Sequence, residues 1–201
     1  MTRKSLRTFR IALWGLVLLT GLASSWFFLR PQPAPTQQMA NADIGRGDYQ
    51  LVTDNGDPFT EATLRGQPSL VFFGFTHCPD VCPTTIGDIA GWKEDLGDLG
   101  RDLRVFLITV DPERDTPEML RDYVGWIDGG QGVTGTAEEM QNAIRAFRIY
   151  ASRVPLENGD YTMNHTAYVM LFDAEGRFNQ IFSYQEDPTQ VVAKLRHALR
   201  A

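Results

Sequence analysis

Cysteine is nearly absent from this chain: its 201 residues include two, Cys78 and Cys82, and both fall in one short segment. A bridge between them would close no long loop, which excludes loop closure as the reason for their presence. Histidine is almost as scarce, with only His77, His165 and His197. No internal repeat is found, so a stacked-repeat architecture is excluded. Positive charge is in the minority outside the N-terminus. Five of the 19 basic residues and none of the 25 acidic ones lie in the first 30 positions, which leaves 14 basic against 25 acidic residues in the body. That body, at −11 with histidine neutral, has the wrong sign to neutralise phosphates, so nucleic acid is excluded as a partner.

Charge of either sign is missing from Ile11 to Leu29, directly after Arg3, Lys4, Arg7 and Arg10. As a helix this stretch would span about 28 Å, close to the roughly 30 Å of bilayer hydrocarbon. The sequence therefore predicts a cytoplasmic basic segment over 1–10 and a transmembrane anchor over 11–29, with the body on the far side of the membrane. A signal peptide cleaved after Gly21-Leu22-Ala23 is the competing reading, and it exports the body equally. Residues 30–41 are rich in proline and glutamine and read as a semi-rigid linker. One folded domain of ordinary size follows over 42–201.

Within that domain Ser69–Phe75 is apolar on both faces, as in a central strand covered on each side. A helix over Thr84–Leu96 and a second such strand over Leu103–Val110 complete a crossover unit, which predicts a parallel pair and an α/β fold. Ahead of this unit, Asp48–Thr53 alternates as a strand and Asp54-Asn-Gly-Asp57 reads as a turn. Thr116 and Pro117 mark the start of a helix reaching about Trp126. Glu138–Ala146 predicts another, with Met140, Ala143, Ile144 and Phe147 on its apolar stripe; this places Met140 in the core rather than on a metal. Ile149–Ala151 and Tyr161–Met163 are expected to pair around Glu157–Asp160. Thr166–Phe172 and Arg177–Ser183 are expected to form a hairpin across Asp173–Gly176. A helix over about Pro188–Leu199 ends the chain.

The two cysteines lie between the first central strand and the first helix, in a strand-to-helix turn. Unpaired N–H groups at a helix start lower thiol pKa values and raise the thiolate fraction, and thiolate is both metal ligand and nucleophile. Residues four apart on a helix would stack on one face, so two thiolates can point at one ion. Metal binding and redox exchange both remain open on these residues alone.

The twelve residues Phe73-Gly-Phe-Thr-His-Cys-Pro-Asp-Val-Cys-Pro-Thr84 closely resemble the signature of the Sco/SenC family of membrane-anchored copper chaperones. The likeness extends over nearly all of the domain, including Asp111-Pro-Glu-Arg-Asp-Thr-Pro117, Gly132-Val-Thr-Gly135 and Asn164-His165-Thr166. It implies a thioredoxin-like domain with an insertion, and copper, Cu(I) or Cu(II), held by Cys78, Cys82 and His165. Those cysteines would also form a redox-active disulfide. Two thiolates alone bind Cu(I) near-linearly, and an imidazole secures the ion and admits Cu(II). The resemblance further implies the copper-receiving subunit of cytochrome c oxidase as partner, with a thioredoxin-like reductant or a second copper chaperone upstream. The predicted location is the bacterial inner membrane, with the domain in the periplasm. Asn164 departs from the family, which often has Asp before the histidine; the change bears on hydrogen bonding around the ligand, not on the ligand itself.

Other polar residues carry less. His77 is expected to face solvent, because neighbours in an extended segment point to opposite sides. His197 reads as a surface group near a helix C-terminus. Asp80 reads equally as a helix cap or as a tuner of the site, Asp111 as a turn residue ahead of a site group at the strand edge where α/β sites form, and Trp92 and Trp126 as core or interface aromatics. The rival functions are a thiol-disulfide reductase acting on the oxidase cysteines and a redox or copper sensor. A general oxidoreductase is disfavoured, since no proline lies between Pro155 and Pro188 to supply the cis-proline of thioredoxins. A peroxidase is disfavoured too, because the Pro-x-x-x-Thr-x-x-Cys arrangement is missing before Cys78.

Overall fold

The computed structural model describes residues 13–15, 17, 19–21, 43–157 and 159–200. The basic segment at 1–10 and the linker at 30–41 lie outside these, as does most of the anchor at 11–29. No helix among the described residues is long and apolar enough to cross a membrane. The body belongs to a compact unit spanning Met39–Ala201.

Its elements in chain order are β1 (Leu51–Thr53), β2 (Pro58–Phe59), a short 3-10 turn at Glu61–Leu64, β3 (Ser69–Gly74), α1 (Val81–Leu96), α2 (Asp98–Arg101), β4 (Arg104–Thr109) and α3 (Pro117–Val124). They continue with β5 (Gly130–Thr134), α4 (Ala137–Ala146), β6 (Ala151–Pro155), β7 (Tyr161–His165), β8 (Tyr168–Phe172), β9 (Phe178–Ser183) and α5 (Pro188–Ala198). Seven strands form one sheet in the order β2-β1-β5-β4-β3-β8-β9, while β6 and β7 make a sheet of their own. β3 runs parallel to β4, and β4 to β5; β8 joins β3 antiparallel and carries β9 beside it. This is a mixed α/β, thioredoxin-like fold.

β3 and β4 sit in the middle because they can be buried on both sides. All six residues of β3 are buried, and so are five of the six in β4. Successive side chains alternate between faces. Phe73 packs on Phe147 at the end of α4, where Tyr49 and Phe172 also meet it. Phe72 points the other way, toward His165. The turn after β1 closes as the sequence predicts, with Thr53 N–H donating to Asp57 O. Thr116 caps α3 by accepting from Met119 N–H, with Pro117 next to it.

The differences are local. α1 begins at Val81, three residues before the expected start, so Cys82 lies in its first turn. α3 stops at Val124 and leaves Trp126 with 60% of its surface exposed. Trp92 is in the core, against Phe182. β5 was not expected as a strand. Its Gly132 is required by close packing, since a Cβ there would collide with the Cβ of Leu120 on α3. The β6–β7 hairpin forms in another register than the pairing read from sequence: Ile149 and Tyr150 precede β6, Ala151 pairs with His165, and Tyr161–Met163 face Arg153–Pro155. Leu156 N–H donating to Asp160 O closes it, and Asn158 in that turn lies outside the described residues.

Candidate metal centre

The cysteine segment begins where β3 ends. Gly74 occupies that end, and a Cβ there would stand 2.8 Å from the Phe72 ring and 3.1 Å from Cys82 Sγ. Its hydrogen side chain therefore makes the room into which the sulfur fits. Beyond it, Thr76 is tied to the buried carboxylate of Asp115, which accepts from Thr76 N–H at 3.1 and 3.2 Å and from Thr76 Oγ1 at 2.6 Å. Thr109 at the end of β4 donates its hydroxyl to the same carboxylate at 2.6 Å. These bonds join the cysteine loop to the neighbouring central strand. Cys78 N–H then returns to Phe75 O at 3.3 Å, and α1 starts.

Only Cys82 is helical; Cys78 lies in the turn before the Asp80 cap position. The two sulfurs converge through this turn rather than by stacking on a helix face. Cys82 N–H donates to Cys78 Sγ at 3.3 Å, which holds that sulfur over the start of the helix. Cys82 is buried completely and Cys78 in part. Burial raises the Cys82 thiol pKa, the reverse of the lowering expected at a helix start. Desolvation of a thiolate outweighs the helix-end field here. The protein without metal therefore holds Cys82 as a thiol at neutral pH.

The third donor comes from the two-stranded sheet, 83 residues beyond Cys82. β7 ends at His165, and Thr166 bonds to Tyr150 through both its N–H and its Oγ1, at 3.0 Å each. His165 Nδ1 is 2.9 Å from Thr166 O, which can only accept, so Nδ1 carries the proton. The lone pair is then on Nε2, which lies 3.5 Å from Cys82 Sγ. Phe72 and Phe75 flank the ring edge-on, with centroids 6.2 and 5.8 Å away. Burial lowers the imidazole pKa, which favours the neutral ligand form. One donor atom each from Cys78, Cys82 and His165 lies within 4.8 Å of the others. Two sulfurs and an imidazole nitrogen at that spacing can hold one soft or borderline metal ion.

Other residues stand apart from this group. His77 turns toward Asp115, with Nδ1 3.5 Å from Oδ1, and its side chain is 42% exposed. His197 is exposed in the last turn of α5. Asp80 occupies the cap position but makes no side-chain cap bond, and Asn164 is exposed opposite Ser152. Asp111 does form the expected turn, accepting from Arg114 N–H and Asp115 N–H through its carbonyl. Its carboxylate is buried as well.

Sequence reasoning missed two residues beside the site. Asp115 is one. The other is Tyr123 on α3, whose buried hydroxyl has no hydrogen-bond partner among the described residues. Burial, then the neighbouring Cys82 and Cys78, push its ionisation upward. Each owes its place to neighbours distant in the chain, so local spacing carries no signal for either.

Known proteins resemble the chain throughout this region. The family model described as SCO1/SenC matches residues 37–200. Mitochondrial protein SCO2 of Saccharomyces cerevisiae is 31% identical over 97% of this chain and 69% of its own length. A SCO2-like protein of Rickettsia felis is 33% identical over 78% of this chain and 77% of its own. Among solved structures, Bradyrhizobium japonicum ScoI with copper bound is 40% identical, with a TM-score of 0.69 over 77% of this chain and 99% of that one. Yeast Sco1 with copper bound is 32% identical, with a TM-score of 0.72 over 79% of this chain and 90% of that one.

Proposed function

The chain belongs to the SCO1/SenC family, and from that premise we propose that it is a copper metallochaperone whose ligands are Cys78, Cys82 and His165. The observation that carries the reading is the convergence of two sulfurs and an unprotonated imidazole nitrogen within 4.8 Å. Copper is the cargo. Thiolate and imidazole suit Cu(I) and Cu(II), and three protein ligands leave the ion open to a donor from another protein. Cys78, the more accessible sulfur, faces that exchange, while Cys82 and His165 hold the ion from within. Loading requires Cys82 to lose its proton, so binding releases protons and weakens as pH falls.

The receiving protein in this reading is the copper-bearing subunit of cytochrome c oxidase, whose binuclear centre the chaperone loads or prepares. Residues 11–29 anchor the chain in the bacterial inner membrane, 30–41 tether it, and 42–201 work in the periplasm. In that oxidising compartment the pair is kept competent by a thioredoxin-like reductant or another chaperone.

One observation favours a second reading. A partly exposed Cys78 beside a buried Cys82 has the asymmetry of an attacking and a resolving thiol. As a reductase of the oxidase cysteines, Cys78 thiolate would attack the partner disulfide and form a mixed disulfide. Cys82 would then displace the partner thiolate, leaving Cys78–Cys82 oxidised by two electrons and the partner reduced by two. The same oxidation would let copper occupancy report redox state.

Anaerobic copper titration of the reduced, detergent-solubilised chain against competing ligands tests the proposal. The expected result is one tight equivalent, lost in Cys78→Ser or Cys82→Ser and weakened in His165→Ala. Binding indifferent to His165, with rapid reduction of partner disulfides, would favour the reductase.

A further inference from the structure

His165 is carried by the least supported element of the body. β6 and β7 pair only with each other, and most of β6 is exposed. Between the hairpin and the turn after β4 lies a cleft of about 190 Å³ whose walls include Asp111, Ile144, Arg153 and Met163. Side-chain packing along the hairpin is therefore incomplete. Period-two alternation places Tyr161, Met163 and His165 on one face of β7. Arg153 lies diagonally across from Tyr161 on that same face, since Pro155 is the direct partner.

At the end remote from His165 this face is clamped. The Arg114 guanidinium lies 3.8 Å from the Tyr161 ring centroid and that of Arg153 lies 3.9 Å from it. Arg114 also donates to Tyr161 O at 2.9 Å and pairs with buried Asp111 at 2.5 Å. Tyr161 Oη donates to the other Asp111 oxygen at 2.8 Å. Arg153 reaches Glu113 at 2.6 Å. Asp115, at the other end of the same five-residue turn, holds Thr76 and with it the cysteine loop. One turn thus fastens both halves of the site.

We propose that Arg114 and Tyr161 are positioning residues for His165: docked on Asp111, they set the angle of the β6–β7 hairpin and so the reach of the imidazole to the two sulfurs. The proposal rests on His165 being a copper ligand. Releasing the clamp frees β7 to twist between Tyr161 and the Thr166–Tyr150 bonds, which turns the imidazole off the two sulfurs and leaves a two-sulfur site.

The test is a double-mutant cycle on the reduced, detergent-solubilised full chain. Copper affinity is measured by competition for Arg114→Met, Tyr161→Ala and Tyr161→Phe, each with His165 intact and as Ala, together with nitrogen hyperfine coupling on the Cu(II) form. Losses of about ten-fold are expected for Arg114→Met and Tyr161→Ala, in the range seen when groups that orient a ligand are removed. A smaller loss is expected for Tyr161→Phe, which retains the ring and serves if the other variants fold poorly. In the His165→Ala background these losses should vanish, and the nitrogen coupling should fall with affinity in the single variants. Unchanged affinity and coupling in folded variants would overturn the proposal, as would equal losses in both backgrounds. If His165→Ala itself leaves affinity unchanged, the three-ligand reading falls and the proposal falls with it.

Discussion

The two halves of the candidate metal centre are built by different means. The cysteine half sits on the central strands of the seven-stranded sheet, with a fully buried Cys82 and with Thr76 bonded to a carboxylate that is 1% exposed. The histidine half sits on a two-stranded hairpin outside that sheet, fixed at its remote end by two guanidinium groups on one tyrosine ring. Close packing gives the first half a single arrangement. Ionic and stacking contacts give the second an attachment that can release without unfolding the core. In the proposed reading, in which copper is held and then surrendered through Cys78, this division lets the inner ligand His165 shift without disturbing the core that holds Cys82.

Several substitutions would break or sharpen this contrast. The largest effect belongs to Phe147→Ala, which removes a ring in contact with Tyr49, Phe73 and Phe172. It should lower stability by about 3–5 kcal/mol in chemical denaturation. Copper stoichiometry per folded molecule should stay unchanged. Asp115→Ala should cost about 1–3 kcal/mol, because Thr76 N–H and the hydroxyls of Thr76 and Thr109 lose their acceptor. Unlike the core variant it should also loosen the cysteine loop, read as faster alkylation of Cys78. Arg153→Gln, which breaks an exposed pair with Glu113, should leave the denaturation midpoint nearly unchanged. A large loss of global stability there would mean that the hairpin is part of the core after all.

The smallest effect is a pH dependence. His165 has a folded-state pKa lowered by burial, so the unfolded chain takes up its proton first as pH falls. Its contribution is present above the ordinary imidazole pKa of about 6.5 and is lost as pH falls toward the folded value. His165→Ala should flatten that part of the stability curve in the copper-free protein, measured by thermal melts between neutral and mildly acidic pH.

Much of the cysteine half is legible in the sequence, and less of the histidine half. β3 and β4 stand out because continuous apolar runs of that length have few other uses in a globular domain. β5 is not legible because Gly130-Gln-Gly132 shows neither alternation nor β-branched residues; Gly132 is dictated by the close approach of Leu120 on α3, which no local pattern reveals. Cys82 shows competition between two effects. Its place at a helix start is readable and predicts a lowered pKa, but its burial is a tertiary fact and dominates. His165 is placed through resemblance to a family, whereas Asp111 reads first as a turn residue and second as a group at a strand end where α/β sites form, and Tyr161 reads as part of a strand. The bonds that join them cross 50 residues of chain.

The most direct test of the three-ligand centre is X-ray absorption on the Cu(I)-loaded full chain, comparing the native sequence with His165→Ala. The account predicts two sulfur scatterers and one imidazole nitrogen around copper, with the nitrogen contribution disappearing in the variant. A sulfur-only shell that is the same in both would contradict it.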